Sequence, residues 1–212
     1  MKSIVRTSLC FLLLAHGSAH AAGAYLGGSL GSAASFDARS NVKDAKAVLA
    51  SVNPASTVSY DETSPTGALA AGVEFNSYLA AELGIAFLGT YKLSGSAGSG
   101  PTSVTVDEKD TVGAISLAMI GKYPIWRKIK FLAKVGLGVT SVEKTCSIAS
   151  AVCASETDSG VHPVFGAGVA LRPINALEIR LDVTVYTDVG KTDNDYTAGT
   201  FGVAQTSLYY HF

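Results

Sequence analysis

The chain has 212 residues, the size of one ordinary domain, and sets 16 basic against 17 acidic side chains; that near-neutral balance excludes a nucleic-acid partner. It is 48% hydrophobic, yet it has no stretch of 18 or more apolar residues, which excludes crossing a membrane by helices. A spanning β-strand needs only about 9–11 residues, every second one apolar, so that route stays open.

Residues 1–21 read as a secretory signal peptide. Lys2 and Arg6 form its charged start, Leu9 to Ala15 its short apolar stretch, and Ala19-His20-Ala21 its cleavage site. The mature domain then covers 22–212. Losing Lys2 and Arg6 leaves 14 basic against 17 acidic groups, a net charge of −3. Cys10 leaves with the signal. Cys146 and Cys153 remain, and an even count in an exported protein points to a disulfide. Closing so short a loop contributes about 2.5 kcal/mol in the loop-entropy picture. A metal site is the alternative, but no histidine stands beside the pair.

Eight strands are predicted in chain order, each with one apolar and one polar or small face. The first, Ala24 to Ser32, sets Leu26, Gly28 and Leu30 against Tyr25, Gly27, Ser29 and Gly31. The second, Thr66 to Phe75, shows Leu69, Ala71, Val73 and Phe75 on one side and Glu74 on the other. After an Asn76-Ser77 turn, the third runs Tyr78 to Leu88, with Glu82 opposite Leu79, Ala81, Leu83, Ile85 and Phe87. The fourth, Thr111 to Tyr123, opposes Ile115, Leu117, Met119 and Tyr123 to Ala114, Ser116, Ala118 and Lys122. Trp126 in the following turn suits an interfacial aromatic girdle.

The fifth, Ile129 to Thr140, places Lys130, Lys134, Gly136 and Gly138 opposite Phe131, Ala133, Val135, Leu137 and Val139. The sixth, Val161 to Leu171, carries Phe165, Ala167, Val169 and Leu171 on its apolar side. The seventh, Leu177 to Tyr186, alternates most cleanly: Leu177, Ile179, Leu181, Val183 and Val185 against Glu178, Arg180, Asp182, Thr184 and Tyr186. The eighth, Thr200 to Phe212, turns Ala204, Thr206, Leu208, Tyr210 and Phe212 outward.

Connections alternate between short turns and long segments. The long ones are Ala33 to Ser64, Gly89 to Asp110, Ser141 to Gly160 and Asp188 to Ala198. Short turns at one end and long loops at the other, joining an even number of strands, are expected of single-chain outer-membrane barrels. A soluble sandwich also alternates, but its open polar faces have no need of this much Gly, Ala and Ser. The fold class expected is therefore all-β, an eight-stranded antiparallel up-and-down transmembrane β-barrel. Its lumen would hold Glu74, Glu82, Lys122, Lys134, Glu178, Arg180 and Asp182.

Two hairpins carry a resemblance. Phe75-Asn76-Ser77-Tyr78-Leu79-Ala80-Ala81-Glu82-Leu83-Gly84 resembles the second hairpin of the outer membrane protein A type of barrel. The segment from His162-Pro163-Val164-Phe165-Gly166 through Glu178-Ile179-Arg180-Leu181-Asp182 resembles a later one. The resemblance implies a lumenal charge cluster that blocks or gates a narrow passage. Glu82 and Arg180 match two of its positions, whereas Ser29, Ile120 and Ala170 stand where charges are usual; Lys134 and Asp182 are the nearby replacements. It also implies that Leu208, Tyr210 and Phe212 form the C-terminal signal read by the outer-membrane assembly machinery. In length the chain is closer to barrel-only relatives such as opacity-type surface proteins, and the family's periplasmic wall-binding domain is not expected.

Other chemistry is poorly supplied. Gly27-Gly28-Ser29-Leu30-Gly31 fits the nucleophile-elbow pattern, but that motif works only at a strand-to-helix turn. Asp188, Asp193, Asn194 and Asp195 make an acidic loop without the glycine and distal Glu of a calcium site. Gly166-Ala167-Gly168 lacks the third glycine of a dinucleotide site. A short helix is predicted over Asn41 to Val52, stopped at Pro54.

No catalytic residue, metal or cofactor is expected. The expected location is the outer membrane of a Gram-negative bacterium. The expected partners are phospholipid and lipopolysaccharide, the assembly machinery during biogenesis, and an extracellular ligand at the loops; the barrel would be a monomer. Three functions remain: a structural, surface-presenting protein whose loops mediate adhesion or ligand contact, a narrow porin-like channel, and a lipid-modifying enzyme.

Overall fold

The computed structural model describes residues 23–36, 47, 57–97, 104–148, 151–152, 156–189 and 199–212. The signal peptide, the 41–52 helix, the acidic loop at 193–195, and Cys153 with the Cys146 side chain lie outside the described residues.

The strands are β1 (Gly23–Ser35), β2 (Thr57–Tyr60), β3 (Thr63–Glu74), β4 (Leu79–Ala97), β5 (Val104–Trp126), β6 (Ile129–Ile148), β7 (Ala151–Val152), β8 (Glu156–Ile174), β9 (Leu177–Val189) and β10 (Gly199–His211). Eight of them form the staves. Neighbours run β4-β3-β1-β10-β9-β8-β6-β5, all antiparallel, and a β4–β5 pairing closes the ring. Closure leaves no free edge in the ring of eight staves, so their spanning backbone pairs within the wall, as hydrocarbon surroundings demand. The two short strands only extend the wall: β2 pairs the far half of β4, and β7 pairs the end of β6.

Every apolar face assigned from alternation points outward. Leu30 (76% exposed), Leu69, Leu83, Ile115, Leu137, Val161 and Leu181 form an apolar outer belt. Trp126, Tyr123, Tyr78, Tyr210 and Phe212 are exposed at its short-turn end, where an aromatic girdle belongs. Leu208, Tyr210 and Phe212 all face outward, and the last two rings meet edge-on at 5.1 Å.

The predicted long connections need correction. The segment from Gly89 to Asp110 is mostly strand: β4 and β5 stay paired from Thr90↔Thr111 to Ala97↔Val104. Ser141 to Gly160 likewise contains the continued β6–β8 pairing and β7, and Ala33 to Ser64 contains the end of β1, all of β2 and the start of β3. Alternation hid the first of these because β4 carries a bulge between Phe87 and Gly89. Before the bulge, even-numbered residues such as Glu82 and Leu88 face inward; beyond it, the buried residue is Tyr91. Gly89 has φ +115°, a conformation costly for any residue with a Cβ, and a Cβ there would collide with the Ser64 side chain.

Candidate functional site

The lumen is filled in layers. At the short-turn end lies a charge cluster built by β3, β5, β8, β9 and β10. Lys122 Nζ donates to Glu74 Oε1 at 2.5 Å. The Arg172 guanidinium donates to Glu74 Oε1 at 2.8 Å and to Glu178 Oε2 at 2.9 Å, and its Nη2 is 2.9 Å from His211 Nε2. Glu74, Glu178 and His211 bring ligand atoms within 4.8 Å of one another, a metal-like grouping, but Arg172 already supplies the positive charge that contacts all three.

The next layer centres on Arg180, only 2% exposed. Its Nη1 donates to Glu82 Oε2 at 2.6 Å and its Nε to Glu178 Oε1 at 2.5 Å. Lys134 Nζ donates to the other Glu82 oxygen at 3.1 Å, and the Tyr25 hydroxyl donates to Glu82 Oε2. Nη2 of Arg180 is buried without a hydrogen bond, but the guanidinium carbon lies 3.9 Å from the centre of the Tyr209 ring and 4.9 Å from that of Tyr25. The π-faces thus receive the remaining positive charge. Small residues make room: Tyr25 pairs across the strands with Gly72, where a Cβ would strike its ring.

Asp182 joins this layer through neutral donors. It accepts from Gln205 Nε2 at 2.8 Å, from Ser207 Oγ at 3.4 Å and from Thr184 Oγ1 at 3.3 Å. Ser29, the nucleophile-elbow candidate, lies mid-strand and donates to Gln205 Oε1, so it is built into the wall. Above it a cavity of about 30 Å³ borders Glu82, Lys134, Ser116, Gln205 and Tyr186, room for a water or two.

The outer half of the lumen is mostly apolar, although Thr140 and His162 are buried there too. Leu88, Val112, Val142, Val164, Val189, Phe201 and Val203 pack there with Tyr91 and Tyr186 as one buried cluster. Six of these nine side chains lie in predicted strands, whereas Tyr91, Val142 and Val189 come from segments read as loops.

All seven lumenal residues expected from the sequence face inward, and Glu82 and Arg180 pair as the resemblance implied. Arg172 was missed because it was placed in a turn. Extending the predicted sixth strand by one residue past Leu171 would have put it on the inner face with Ala170. Across the described network Glu74, Glu82, Glu178 and Asp182 oppose Lys122, Lys134, Arg172 and Arg180, so the charges balance and no ring of one sign is left to select ions.

The OmpA-like transmembrane domain model matches residues 19–212. The chain belongs to this family. As an OmpA-like barrel it resides in the outer membrane, and its short-turn end faces the periplasm. Solved structures with the same fold include Neisserial surface protein A, at 11% identity and TM-score 0.53, covering 89% of this chain and 97% of that one. The N-terminal β-barrel domain of Pseudomonas aeruginosa OprF matches at 10% identity and TM-score 0.51, covering 90% and 99%. OprG from the same organism matches at 10% and 0.50, covering 91% and 97%. No curated protein matches the chain. This OmpA-like barrel shares its fold with these three barrels.

Proposed function

We propose that this barrel is a closed scaffold that presents external loops at the cell surface for adhesion or ligand contact, rather than a channel or an enzyme. One observation carries the reading. The lumen is obstructed twice, by the Glu82–Arg180–Lys134 layer and by the apolar plug around Leu88 and Phe201, and the enclosed space between them is only about 30 Å³. An eight-stranded barrel is just filled by its own side chains, and here both ionic and apolar fillings are present. With the interior committed to packing, the parts left to meet a partner are the loops, where binding residues commonly sit on a rigid support.

The family membership supports an outer-membrane role in general. The outward Leu208, Tyr210 and Phe212 suit recognition by the assembly machinery, and the apolar belt suits phospholipid and lipopolysaccharide chains around a single barrel. The test has two arms. Refolded protein in planar bilayers should carry no steady current, and deleting residues 37–56 should abolish cell or ligand binding while the heat-modifiable gel shift of the barrel persists. A steady conductance would favour the porin-like reading. Altered lipid A on overexpression would favour the lipid-modifying one.

A further inference from the structure

Above the apolar plug, at the extracellular mouth, a largely enclosed chamber of about 50 Å³ lies among Tyr60, Tyr91, Phe201, Glu108 and Asp110. It stands beyond the lipid belt: among the described side chains, the last exposed apolar residues of β5 and β6 on this side are Ile115 and Val139, while Asp110 pairs with Lys144, five residues further on in each strand. Its aromatic wall is ordered. The Tyr60 and Tyr91 rings stack at 6.5 Å and 9°, and Phe201 meets Tyr91 at 5.2 Å with a 54° tilt. Its acidic wall comes from β5, where Glu108 and Asp110 share the inward face.

The acidic wall is incompletely satisfied. Asp110 Oδ1 is buried and accepts no hydrogen bond. A buried acceptor without a donor is costly, and a positively charged occupant would satisfy it. Burial, with Glu108 beside it, pushes the Asp110 carboxyl up to about 6 against the opposing pull of Lys144, and burial with Asp110 pushes Tyr60 up to about 12. Negative ring faces and carboxylates along one cavity are the surroundings that attract a cation. A bare metal ion fits poorly, because Tyr91, Val112, Val142, Val189 and Phe201 line the space with carbon where calcium or magnesium would need six or more oxygens.

We propose that this chamber binds a small organic ammonium ion, its alkyl groups against Tyr60, Tyr91 and Phe201 and its charge toward Asp110 and Glu108. Such a ligand uses both walls at once. A neutral molecule of the same shape would use only one.

The experiment uses the full mature chain refolded in detergent, with methylammonium chloride as probe, an ion small enough for the chamber. Binding is followed by saturation-transfer NMR and by the shifts of tyrosine ring signals. Sodium chloride holds the ionic strength constant, and methanol serves as a neutral counterpart of similar size. The expected result is saturable methylammonium binding that methanol does not compete with. Asp110→Asn and Tyr60→Leu should each weaken it roughly tenfold while retaining the heat-modifiable gel shift. Should either variant fail to refold, Glu108→Gln and the wild-type comparison of charged and neutral probes decide. Absence of saturable binding to the wild-type chain, equal binding of methanol, or undiminished binding by Asp110→Asn overturns the assignment.

Discussion

Glu82 on β4 accepts a 2.6 Å hydrogen bond from Arg180 Nη1 on β9, so one ion pair ties opposite walls of the barrel together. Lys134 on β6 reaches the other carboxylate oxygen. Three staves that do not pair with one another thus meet at one side chain.

Replacing Glu82 by Gln leaves Arg180 and Lys134 facing each other with one partner removed. The loss should be about 3–5 kcal/mol, because uncompensated charge stays buried. Adding Arg180→Met should restore part of it, since the pair is then dismantled rather than broken. Urea unfolding of the refolded barrel in detergent, followed by tryptophan fluorescence, measures both; equal stability for the single variant and wild type would contradict the assignment.

Arg172 holds Glu74, Glu178 and His211 together at the periplasmic end. Arg172→Gln should destabilise the barrel by about 2–4 kcal/mol, since two carboxylates then share Lys122 and Arg180 alone. The same variant exposes a Glu-Glu-His set to solvent ions. Zinc should therefore raise the unfolding midpoint of Arg172→Gln and leave that of the wild type unchanged, as a thermal scan with and without zinc would reveal.

The Asp110 carboxyl titrates near pH 6, up from its ordinary 3.8, through burial first and Glu108 second. A raised acid binds its proton more tightly when folded, so stability is greatest below about pH 4 and falls as pH rises toward 6. Lys144 from β6 opposes the shift, and Tyr60 from β2 lies close enough to be raised by the same carboxylate. In the ligand-free barrel this contribution is about 2–3 kcal/mol above pH 6. Asp110→Asn should stabilise the protein by about that amount at pH 7.5 and by little at pH 4, measured by denaturant unfolding at the two pH values.

Two obstructions in series make conductance a conditional property. Glu82→Ala should not open a path by itself, because the Leu88–Phe201 layer stays closed. Leu88→Ala with Phe201→Ala should also stay silent behind the ionic layer. Only the triple variant should show discrete current steps in planar bilayers. Large-to-small changes in the apolar layer cost about 2–5 kcal/mol each, so each variant is first checked for refolding by its gel shift.

The barrel and most of its charged interior were legible in the sequence wherever alternation ran unbroken. Leu177 to Tyr186 is the clearest case: its two faces meet lipid and lumen as their chemistry requires. Legibility failed where the phase changed. Beyond Gly89 the inward residues switch from even to odd, so Tyr91 read as loop. It failed also at the end of β8, where Arg172 keeps the inward phase of Ala170 but was taken for part of a turn. Part of the apolar plug was hidden for a different reason. Inward-facing Val142 and Val189 look like exposed residues of a loop until the pairing of their strands is known.

The continued pairing of β4 with β5 past the bulge also sets a height. From Thr90 to Ala97 the ribbon adds eight rungs beyond Gly89, and at about 3.3 Å per residue it rises roughly 20–25 Å farther, depending on tilt. Its tip therefore stands clear of the lipid headgroups like a mast. A visitor approaching the cell would touch this spire before it came near the bilayer surface.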